Sequence, residues 1–402
     1  MNRPNRNVEA DQLRAEVTQW LRNRWVPSPQ PDREWLAAVV DAGWAVPRWP
    51  KRYFGRELAD DLASIVEEEF QRVGAPGSGQ DRLNMHANTV LVFGSEDLKA
   101  RFIGPMLRSD IHLCLLYSEP EAGSDLASLQ TRAIRDGDFW IVNGHKVWTS
   151  GAAEADFGFL LARTDSDVPK HEGISFFILP MKQPGAVVSP IRQITGESEF
   201  NEVFLNDAVV PDANRLGAIN AGWKVLQQAL VFERVVMGDR ARAGRDNSAM
   251  AITDYVADED LVGLAKARSC FDDPVIRNRV ASAIALRWVN RWNGLRAEAD
   301  AAAGRSSRVA SVGKLAMSRI LHESAEVRSM IVGAECMVEG PDYPDGDAAN
   351  FLALNAFLNS IGGGTDQIQR NIISERLLGL PREDDPTRGV PFRDVRKGLR
   401  PN

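Results

Sequence analysis

The pattern of hydrophobic and polar positions divides the chain into three parts. Over residues 8–108 apolar side chains recur every three or four positions, which predicts helices. Over residues 111–211 short apolar or alternating runs are separated by turn residues about every ten positions, which is typical of antiparallel strands. After Gly222 long helical patterns return. The helices predicted there span residues 223–256, 273–303, 309–332, 348–360 and 366–378.

These three parts predict an α+β multidomain fold. We expect an N-terminal α-helical domain over residues 1–110, a middle antiparallel β-barrel or sandwich over 111–213, and a C-terminal α-helical bundle over 214–402. A chain of 402 residues is too long for one compact core, which agrees with this division. Within the β domain, "FWIVNGHKVWTS" (Phe139–Ser150) is interpreted as two strands joined by a hairpin turn at Asn143-Gly144.

Composition and charge exclude several classes of protein. The net charge of −7 argues against a nucleic-acid surface, which needs clustered Lys and Arg. No apolar run approaches the roughly 18 residues of a membrane span, and the N-terminal stretch lacks the apolar core of a signal peptide. Three widely spaced cysteines and five scattered histidines suggest neither disulfides nor a metal site. We therefore expect a cytoplasmic protein without metal, nucleic-acid or membrane partners.

Two loops carry residues that suit a phosphate or a polar ring. In "YSEPEAGSD" (residues 117–125), Ser118, Gly123 and Ser124 follow a buried strand and can present N–H groups and hydroxyls. A long surface turn is the simpler interpretation of that loop. In "GGGTDQIQRN" (residues 362–371), Thr365 is placed to cap a helix whose open N–H groups attract an anion or a carbonyl oxygen. A plain capped helix is the alternative, and neither loop matches the glycine motifs of phosphate or dinucleotide sites.

One acidic residue lies in the apolar stripe of a predicted helix. On the helix that starts at Trp223, Glu233 shares a face with residues three, four and seven positions away. The apolar residues of this face are Leu226, Ala229, Leu230, Val236 and Met237. A carboxylate in such a place loses hydration, which raises its pKa and makes it a better proton acceptor near neutral pH. A salt bridge between helices explains the same pattern equally well, so periodicity leaves both interpretations open.

Two segments of the chain resemble the signatures of a known family. "CLLYSEPEAGSDLASLQTRAIRDGDFWIVNGHKVWTSGAAEADFGFLLARTD" closely resembles the signature region of the acyl-CoA dehydrogenase family, and "GGGTDQIQRNIISERLLGLPRE" resembles its C-terminal signature. The helix–sheet–helix order is similar along essentially the whole chain, and the resemblance implies bound FAD. By that likeness, the residues along the flavin from ring to phosphates are Leu115, Tyr117, Ser118, Gly123 and Ser124. Those at the ring are Trp148, Thr149 and Ser150. Those at the adenine half, partly across a subunit interface, are Gly364, Thr365 and Gln367.

The resemblance also implies where the catalytic base lies. In many members a Tyr-Glu pair stands in the C-terminal signature, and its glutamate is the base, whereas Gly362 and Gly363 occupy those positions here. A minority of the family carries the base on an earlier helix, directly before an arginine, and Glu233-Arg234 falls at that place. The resemblance therefore assigns Glu233 as the base and places Ser124 and Arg234 at the substrate. It agrees with the helical periodicity, which singles out the same glutamate.

The implied activity is the α,β-dehydrogenation of an acyl-CoA thioester. Glu233 would remove the α proton, flavin N5 would take the hydride, and an electron-transfer flavoprotein would accept the electrons. Because two large side chains are missing at Gly362 and Gly363, we expect an acyl group that is branched or bulky. The family resemblance further implies a homodimer or a homotetramer, with a heterotetramer as the alternative.

Two stretches depart from the family's pattern. "FDDPVIRNRV" stands where members carry an RxxFG stretch near the neighbouring subunit's flavin, and whether Arg277 or another residue replaces it is left open. "IVGAECM" replaces a diglycine loop at the adenine half. Flavin binding is therefore expected to be weaker or differently distributed. A flavin oxidase or monooxygenase on the same fold, and a non-catalytic subunit of a heteromeric dehydrogenase, are the competing hypotheses.

Overall fold

The chain forms two compact units. The computed structural model describes residues 3–28, 33–243, 260–303, 312–338 and 340–395. Unit 1 contains the chain up to Ile191, then Phe200–Val236, and again the chain from Thr387 onward. Unit 2 contains Arg192–Glu199 and Met237–Pro386.

The N-terminal part of unit 1 is helical. Its described helices are α1 (Arg3–Arg24), α2 (Arg33–Asp41), α3 (Asp60–Arg72), α4 (Gln80–Leu83), α5 (Met85–Phe93) and α6 (Glu96–Leu107). The Ser95 side chain caps α6 by accepting from the Leu98 N–H at 3.2 Å. Trp20, Trp35 and Phe70 come from α1, α2 and α3, and their ring centroids lie 5.4 to 6.3 Å apart. These aromatic side chains join the three helices into one core.

A mixed β-sheet follows the helices. Its strands are β1 (Leu113–Leu116), β2 (Arg132–Asp136), β3 (Phe139–Ser150), β4 (Phe157–Arg163), β5 (Ile174–Pro180), β6 (Ala186–Pro190), β7 (Phe200–Pro211) and β8 (Arg215–Leu216). The described strands lie in the order β6-β7-β3-β2-β4-β5-β8, and β1 pairs with β4. Most pairings are antiparallel, but β1 and β4 run parallel. The helix–sheet order agrees with the predicted α+β architecture.

Both faces of the central strands are buried, which explains their continuous apolar sequence. On β4, Phe159 and Leu161 pack into a cluster shared with the N-terminal helices. Leu160 and Ala162 point the other way, into a second cluster that contains Trp140 of β3. Alternate residues of a strand face opposite sides of a sheet, so a strand covered on both sides is apolar at every position.

The predicted hairpin at Asn143-Gly144 is wrong. Phe139–Ser150 is a single strand, and the turn that joins it to β2 contains Gly137, at φ +58°. A Cβ on Gly144 would lie 2.2 Å from Thr131 Oγ1, so this glycine permits a close approach of two chain segments. Asn143 Nδ2 donates to Asp207 Oδ1 of β7 at 2.9 Å. The Asn-Gly pair therefore serves cross-strand packing instead of chain reversal.

Long helices return after the sheet. They are α7 (Gly222–Ala243), α8 (Leu261–Ala267), α9 (Pro274–Ala302), α10 (Gly313–Val332), α11 (Pro344–Ile361) and α12 (Asp366–Ile372), which continues as a π-helical turn over Ile373–Leu377. In unit 2, Ile320 and Leu321 of α10 pack against Leu352 and Ala356 of α11. Residues 244–256 of the predicted helix over residues 223–256 lie outside the described residues. None of the helices described is long and apolar enough to cross a membrane.

A segment near the end of the chain belongs to unit 1. The Phe392 N–H donates to the Val168 carbonyl at 2.9 Å, and the Arg163 guanidinium lies 3.7 Å from the centroid of the Phe392 ring. Phe392 is buried there. Unit 1 is therefore completed by residues from both sides of unit 2 in the sequence.

Candidate functional site

The loop after β1 lies against β3. The Val147 N–H donates to the Ser118 carbonyl at 3.0 Å, and Lys146 Nζ donates to the Tyr117 carbonyl at 3.1 Å. Tyr117 is buried, Leu115 and Ser118 are half-buried, and Gly123 and Ser124 are exposed. The structure thus brings the first group of predicted flavin contacts next to the strand that carries the second group.

A buried ion pair between Lys146 of β3 and Glu119 anchors this loop to the sheet. Lys146 Nζ lies 2.8 Å from Glu119 Oε1, and both side chains are almost completely enclosed. The carboxylate also accepts from the main-chain N–H groups of Gln130 and Thr131, at 2.6 and 3.0 Å. Burial would raise the pKa of Glu119, but the charge of Lys146 and these hydrogen bonds hold that pKa below its ordinary value. Glu119 is therefore an anion that ties the loop to β3 and to the start of β2.

A second buried cation holds the far side of the same loop. Arg163 Nη atoms donate to the carbonyls of Ala127 and Lys170, at 2.6 and 2.7 Å. Burial lowers the pKa of Arg163 to about 10. Asp125, at the end of the loop, accepts from Lys170 Nζ at 3.0 Å. Both ends of the loop are thus fixed by charged side chains.

The end of β3 is bent outward at the second group of predicted flavin contacts. The register between β3 and β7 shifts between Lys146 and Thr149, and Trp148 there has φ +62°, which is uncommon for a residue with a side chain. The Trp148 side chain is 60% exposed, while Thr149 is fully buried. Ser150 is exposed beside them. The bulge therefore presents an indole face and a hydroxyl at one edge of the sheet.

Helix α7 carries Glu233 on the face that packs into the cluster containing Tyr117. The helix begins at Gly222, where a Cβ would lie 2.5 Å from the Ser175 main chain, so glycine permits a close approach to β5. Leu226 and Ala229 are buried in the cluster that contains Tyr117. Glu233 lies on the same face and is half-buried. Burial, together with the negative charge of Glu233, raises the pKa of the Tyr117 phenol well above its ordinary value.

Part of the predicted α7 stripe cannot be described at the level of side chains. Arg234, Val236 and Met237 lie within the helix, but their side chains fall outside the described residues. The predicted substrate contact of Arg234 therefore stays a prediction.

The contacts predicted for the adenine half of FAD, Gly364, Thr365 and Gln367, lie in unit 2. Thr365 Oγ1 accepts from the Ile368 N–H at 3.2 Å, which confirms the predicted N-cap of α12. Gly363 and Gly364 have φ +61° and +87°, a region that favours glycine. Two of the three consecutive glycines are thus required by the course of the backbone. Gln367 is exposed in the first turn of the helix.

The start of α12 is held by a polar network that the sequence patterns did not suggest. Asp366 Oδ1 accepts from Ser318 Oγ at 2.7 Å and lies 3.3 Å from Lys314 Nζ. Asn359 Nδ2 donates to Ser318 Oγ at 2.8 Å. This network ties the glycine turn to α10, so the turn that carries Gly364 and Thr365 has a fixed backbone.

Comparison with known proteins agrees with this geometry. Sequence models of the acyl-CoA dehydrogenase N-terminal, middle and C-terminal domains match residues 6–110, 114–208 and 220–378. The chain is 35% identical over 408 aligned positions to acyl-CoA dehydrogenase IpdE1 of Mycobacterium tuberculosis, covering 93% of this chain and 99% of that protein. It belongs to the acyl-CoA dehydrogenase family. The protein is therefore a flavoprotein oxidoreductase, and its cofactor is FAD.

Solved structures of family members share the fold. A structure described as "Tcur3481-Tcur3483 steroid ACAD" superposes with a TM-score of 0.71 at 27% identity, covering 94% of this chain and 98% of that one. The ChsE4-ChsE5 complex from Mycobacterium tuberculosis gives a TM-score of 0.64 at 28% identity, covering 93% and 98%.

The residues of unit 1 fit a flavin. The enclosed hydroxyl of Thr149 has no hydrogen-bond partner among the described residues. A Cβ added to Gly123 or Gly151 would meet nothing within 4 Å, so the backbone there is open to a ligand. The exposed indole of Trp148 offers an apolar face to an aromatic ring. A buried hydroxyl without a partner, open backbone and an exposed aromatic face together suit a large ring system with polar edges.

The charged residues beneath the loop were missed by the sequence patterns. Glu119 lies within the quoted signature, but its role was not deduced. A signal was available for Arg163, which is the one charged position of the apolar strand β4. Lys146 lies among polar residues of β3, so its burial has no comparable signal.

Proposed function

We propose that this protein catalyses the α,β-dehydrogenation of an acyl-CoA thioester, with Glu233 as the base. The observation that carries the proposal is the position of Glu233. It is half-buried on the face of α7 whose Leu226 and Ala229 lie in the cluster that contains Tyr117, and its negative charge contributes to the raised pKa of Tyr117. A carboxylate beside a candidate flavin loop is placed to take a proton from a substrate bound there.

Each group of residues has a distinct part in this mechanism. Leu115, Tyr117, Ser118, Gly123 and Ser124 would lie along FAD in the loop, with Trp148, Thr149 and Ser150 at its ring. Gly364, Thr365 and Gln367 would meet its adenine half, partly across a subunit interface. Bound FAD supplies the acceptor for the hydride that leaves the β carbon. Glu233 removes the α proton from the thioester and holds that proton on its carboxyl. The apolar surroundings of α7 exclude water, which strengthens the electrostatic interactions of the carboxylate.

For the substrate, we propose a bulky acyl group. Gly362 and Gly363 lack the large side chains found at these positions in many family members, although the positive φ of Gly363 shows that backbone geometry also demands glycine there. A relative of known structure is described as a "steroid ACAD". We therefore favour acyl-CoA thioesters that are branched near the carbonyl or carry rings, including steroid-derived ones.

Anaerobic flavin reduction by acyl-CoA tests both parts of the proposal. Glu233→Gln keeps the shape of the side chain and removes the proton acceptor, so flavin bleaching should slow by about 10²–10⁴-fold or more while FAD stays bound. Glu202→Gln, on β7, is the matched control and should bleach normally. A panel of butyryl-, octanoyl-, branched and steroid-type acyl-CoAs should show fastest bleaching with the bulky thioesters. Normal flavin reduction in Glu233→Gln would contradict the role of Glu233 as base. A preference for straight-chain thioesters would contradict the proposal of a bulky acyl group.

The assembly and the electron acceptor are part of the same proposal. We propose an oligomer and an electron-transfer flavoprotein as acceptor. A heteromer is the second candidate, because one solved relative is described as a complex of two different chains. Protein purified alone that is yellow and bleaches with acyl-CoA supports the homomer. Protein that gains flavin only when produced with a second chain supports the heteromer, and rapid reoxidation of bleached protein by O₂ would indicate an oxidase instead.

A further inference from the structure

The phenol of Tyr117 is buried without a hydrogen-bond acceptor. Its Oη is enclosed, and none of the described residues accepts its proton. The ring is buried in the apolar cluster and meets Phe176 edge to face, with centroids 5.9 Å apart. A buried hydroxyl without a partner is unfavourable, and phenylalanine would fill the same space at no such cost. The hydroxyl therefore calls for an explanation in terms of function.

The main chain at Tyr117 is fixed by hydrogen bonds from β3. Lys146 Nζ donates to the Tyr117 carbonyl at 3.1 Å, and the next residue, Ser118, accepts from the Val147 N–H at 3.0 Å. Lys146 itself is held by Glu119 at 2.8 Å. Lys146 and Glu119 thus bind each other and the main chain. Lys146 donates to the Tyr117 carbonyl and not to the Tyr117 hydroxyl.

The charge that acts on the phenol comes from α7. Leu226, Ala229 and Leu230 of this helix lie in or against the cluster that contains Tyr117, and Glu233 continues the same face. Burial and the negative charge of Glu233 both keep the phenol protonated far above neutral pH. Tyr117 therefore keeps its proton at neutral pH and can act only as a hydrogen-bond donor toward a carboxylate.

We propose that Tyr117 is a positioning residue that donates a hydrogen bond to the Glu233 carboxylate when acyl-CoA fills the site. The inference rests on the proposed role of Glu233 as base. One carboxylate oxygen accepts the phenol proton's hydrogen bond, and the other receives the α proton of the substrate. Tyr117 keeps its own proton throughout, so the only proton that moves passes from the α carbon to Glu233. The hydrogen bond removes the rotational freedom of a carboxylate that must meet the α carbon in one orientation.

A double-mutant cycle on anaerobic flavin reduction tests this role. Tyr117→Phe should retain FAD and bind acyl-CoA with an unchanged Kd, while its limiting rate of flavin reduction falls by roughly 10–100-fold, as expected for one hydrogen bond to a charged group. In the Glu233→Gln background the same substitution should cause little further loss, because the carboxylate that it positions is already gone. A purely structural role would lower FAD retention or act equally in both backgrounds.

Tyr53→Phe is the matched control. The Tyr53 hydroxyl donates to Glu96 Oε2 at 2.6 Å among the N-terminal helices, so this variant also deletes a Tyr–Glu hydrogen bond, and the limiting rate should stay normal. A normal rate in Tyr117→Phe, or a full additional loss in the double variant, overturns the inference while leaving Glu233 as base. A normal rate in Glu233→Gln alone overturns the base and the role of Tyr117 together.

Discussion

Individual buried ionisable residues set much of the chemistry of unit 1. His86 on α5 packs edge to face against Phe159 with centroids 4.8 Å apart, and its Nε2 is enclosed without a partner among the described residues. Burial lowers the pKa of His86 to about 4. The folded protein therefore holds this imidazole neutral at pH values where an exposed histidine becomes charged.

This histidine predicts a specific loss of stability in mild acid. Below pH 6.5 the unfolded chain binds a proton at His86 that the folded chain takes up only near pH 4, so stability present above pH 6.5 is lost between 6.5 and 4. The loss amounts to at most about 3 kcal/mol. His86→Leu should therefore make the thermal midpoint fall less steeply over this range than it does in the wild type. Equal slopes in the two proteins would refute the assignment.

At the same scale, sequence patterns located some residues of the site and missed others. The position of Glu233 could be predicted, because an apolar helical stripe marks the buried face and a carboxylate interrupts it. The partners of Lys146 and Arg163 could not be predicted. The alternation of a strand indicates which positions face inward, but it does not indicate which carboxylate or carbonyl group a buried cation binds. Tyr117 was assigned as a flavin contact, and its relation to Glu233 depends on two distant segments that only folding brings together.

Among the elements, β3 determines the geometry of the candidate site. It carries Lys146 beneath the loop and Trp148–Ser150 at its end, so any shift of this strand moves both. The sequence predicted strands here but divided them at Asn143-Gly144, because the pair is a strong turn signal. The signal failed because Gly144 is needed for a close approach to Thr131, a contact between segments that local patterns do not record.

Gly144→Ala should therefore damage the site from a distance. Its Cβ would lie 2.2 Å from Thr131 Oγ1 and 2.7 Å from Thr131 Cα, so β3 has to move away from the chain that enters β2. We expect a lower thermal midpoint and reduced FAD content, measured by flavin absorbance. Gly294→Ala is the control, because a Cβ there meets nothing within 4 Å in the middle of α9 and alanine favours helix by about 0.5–1 kcal/mol. Normal FAD content in Gly144→Ala would show that the strand tolerates the shift.

For the whole molecule, an exposed apolar face of α9 predicts self-association. Trp288, Trp292 and Leu295 lie four and three positions apart, so they share one face, and they are 47%, 59% and 54% exposed. A cluster of large exposed apolar side chains is typical of an interaction surface. Light scattering should therefore find a dimer or a tetramer, and Trp288→Glu with Trp292→Glu should lower the mass. Ile134→Glu, on exposed β2, should leave the mass unchanged, and a monomeric wild type would contradict the prediction.

The contact between Phe392 and Arg163 has a consequence for how the protein is made. Ribosomes deliver the N-terminal part of a chain first, and early domains generally fold while later ones are still being synthesised. Unit 1 cannot finish folding before unit 2 is synthesised. The Phe392 ring that packs over Arg163 is translated only after all of unit 2. A premature stop codon in the last stretch of the message would therefore leave the second unit whole and the first one unfinished, with the Arg163 guanidinium uncovered beside the candidate FAD loop.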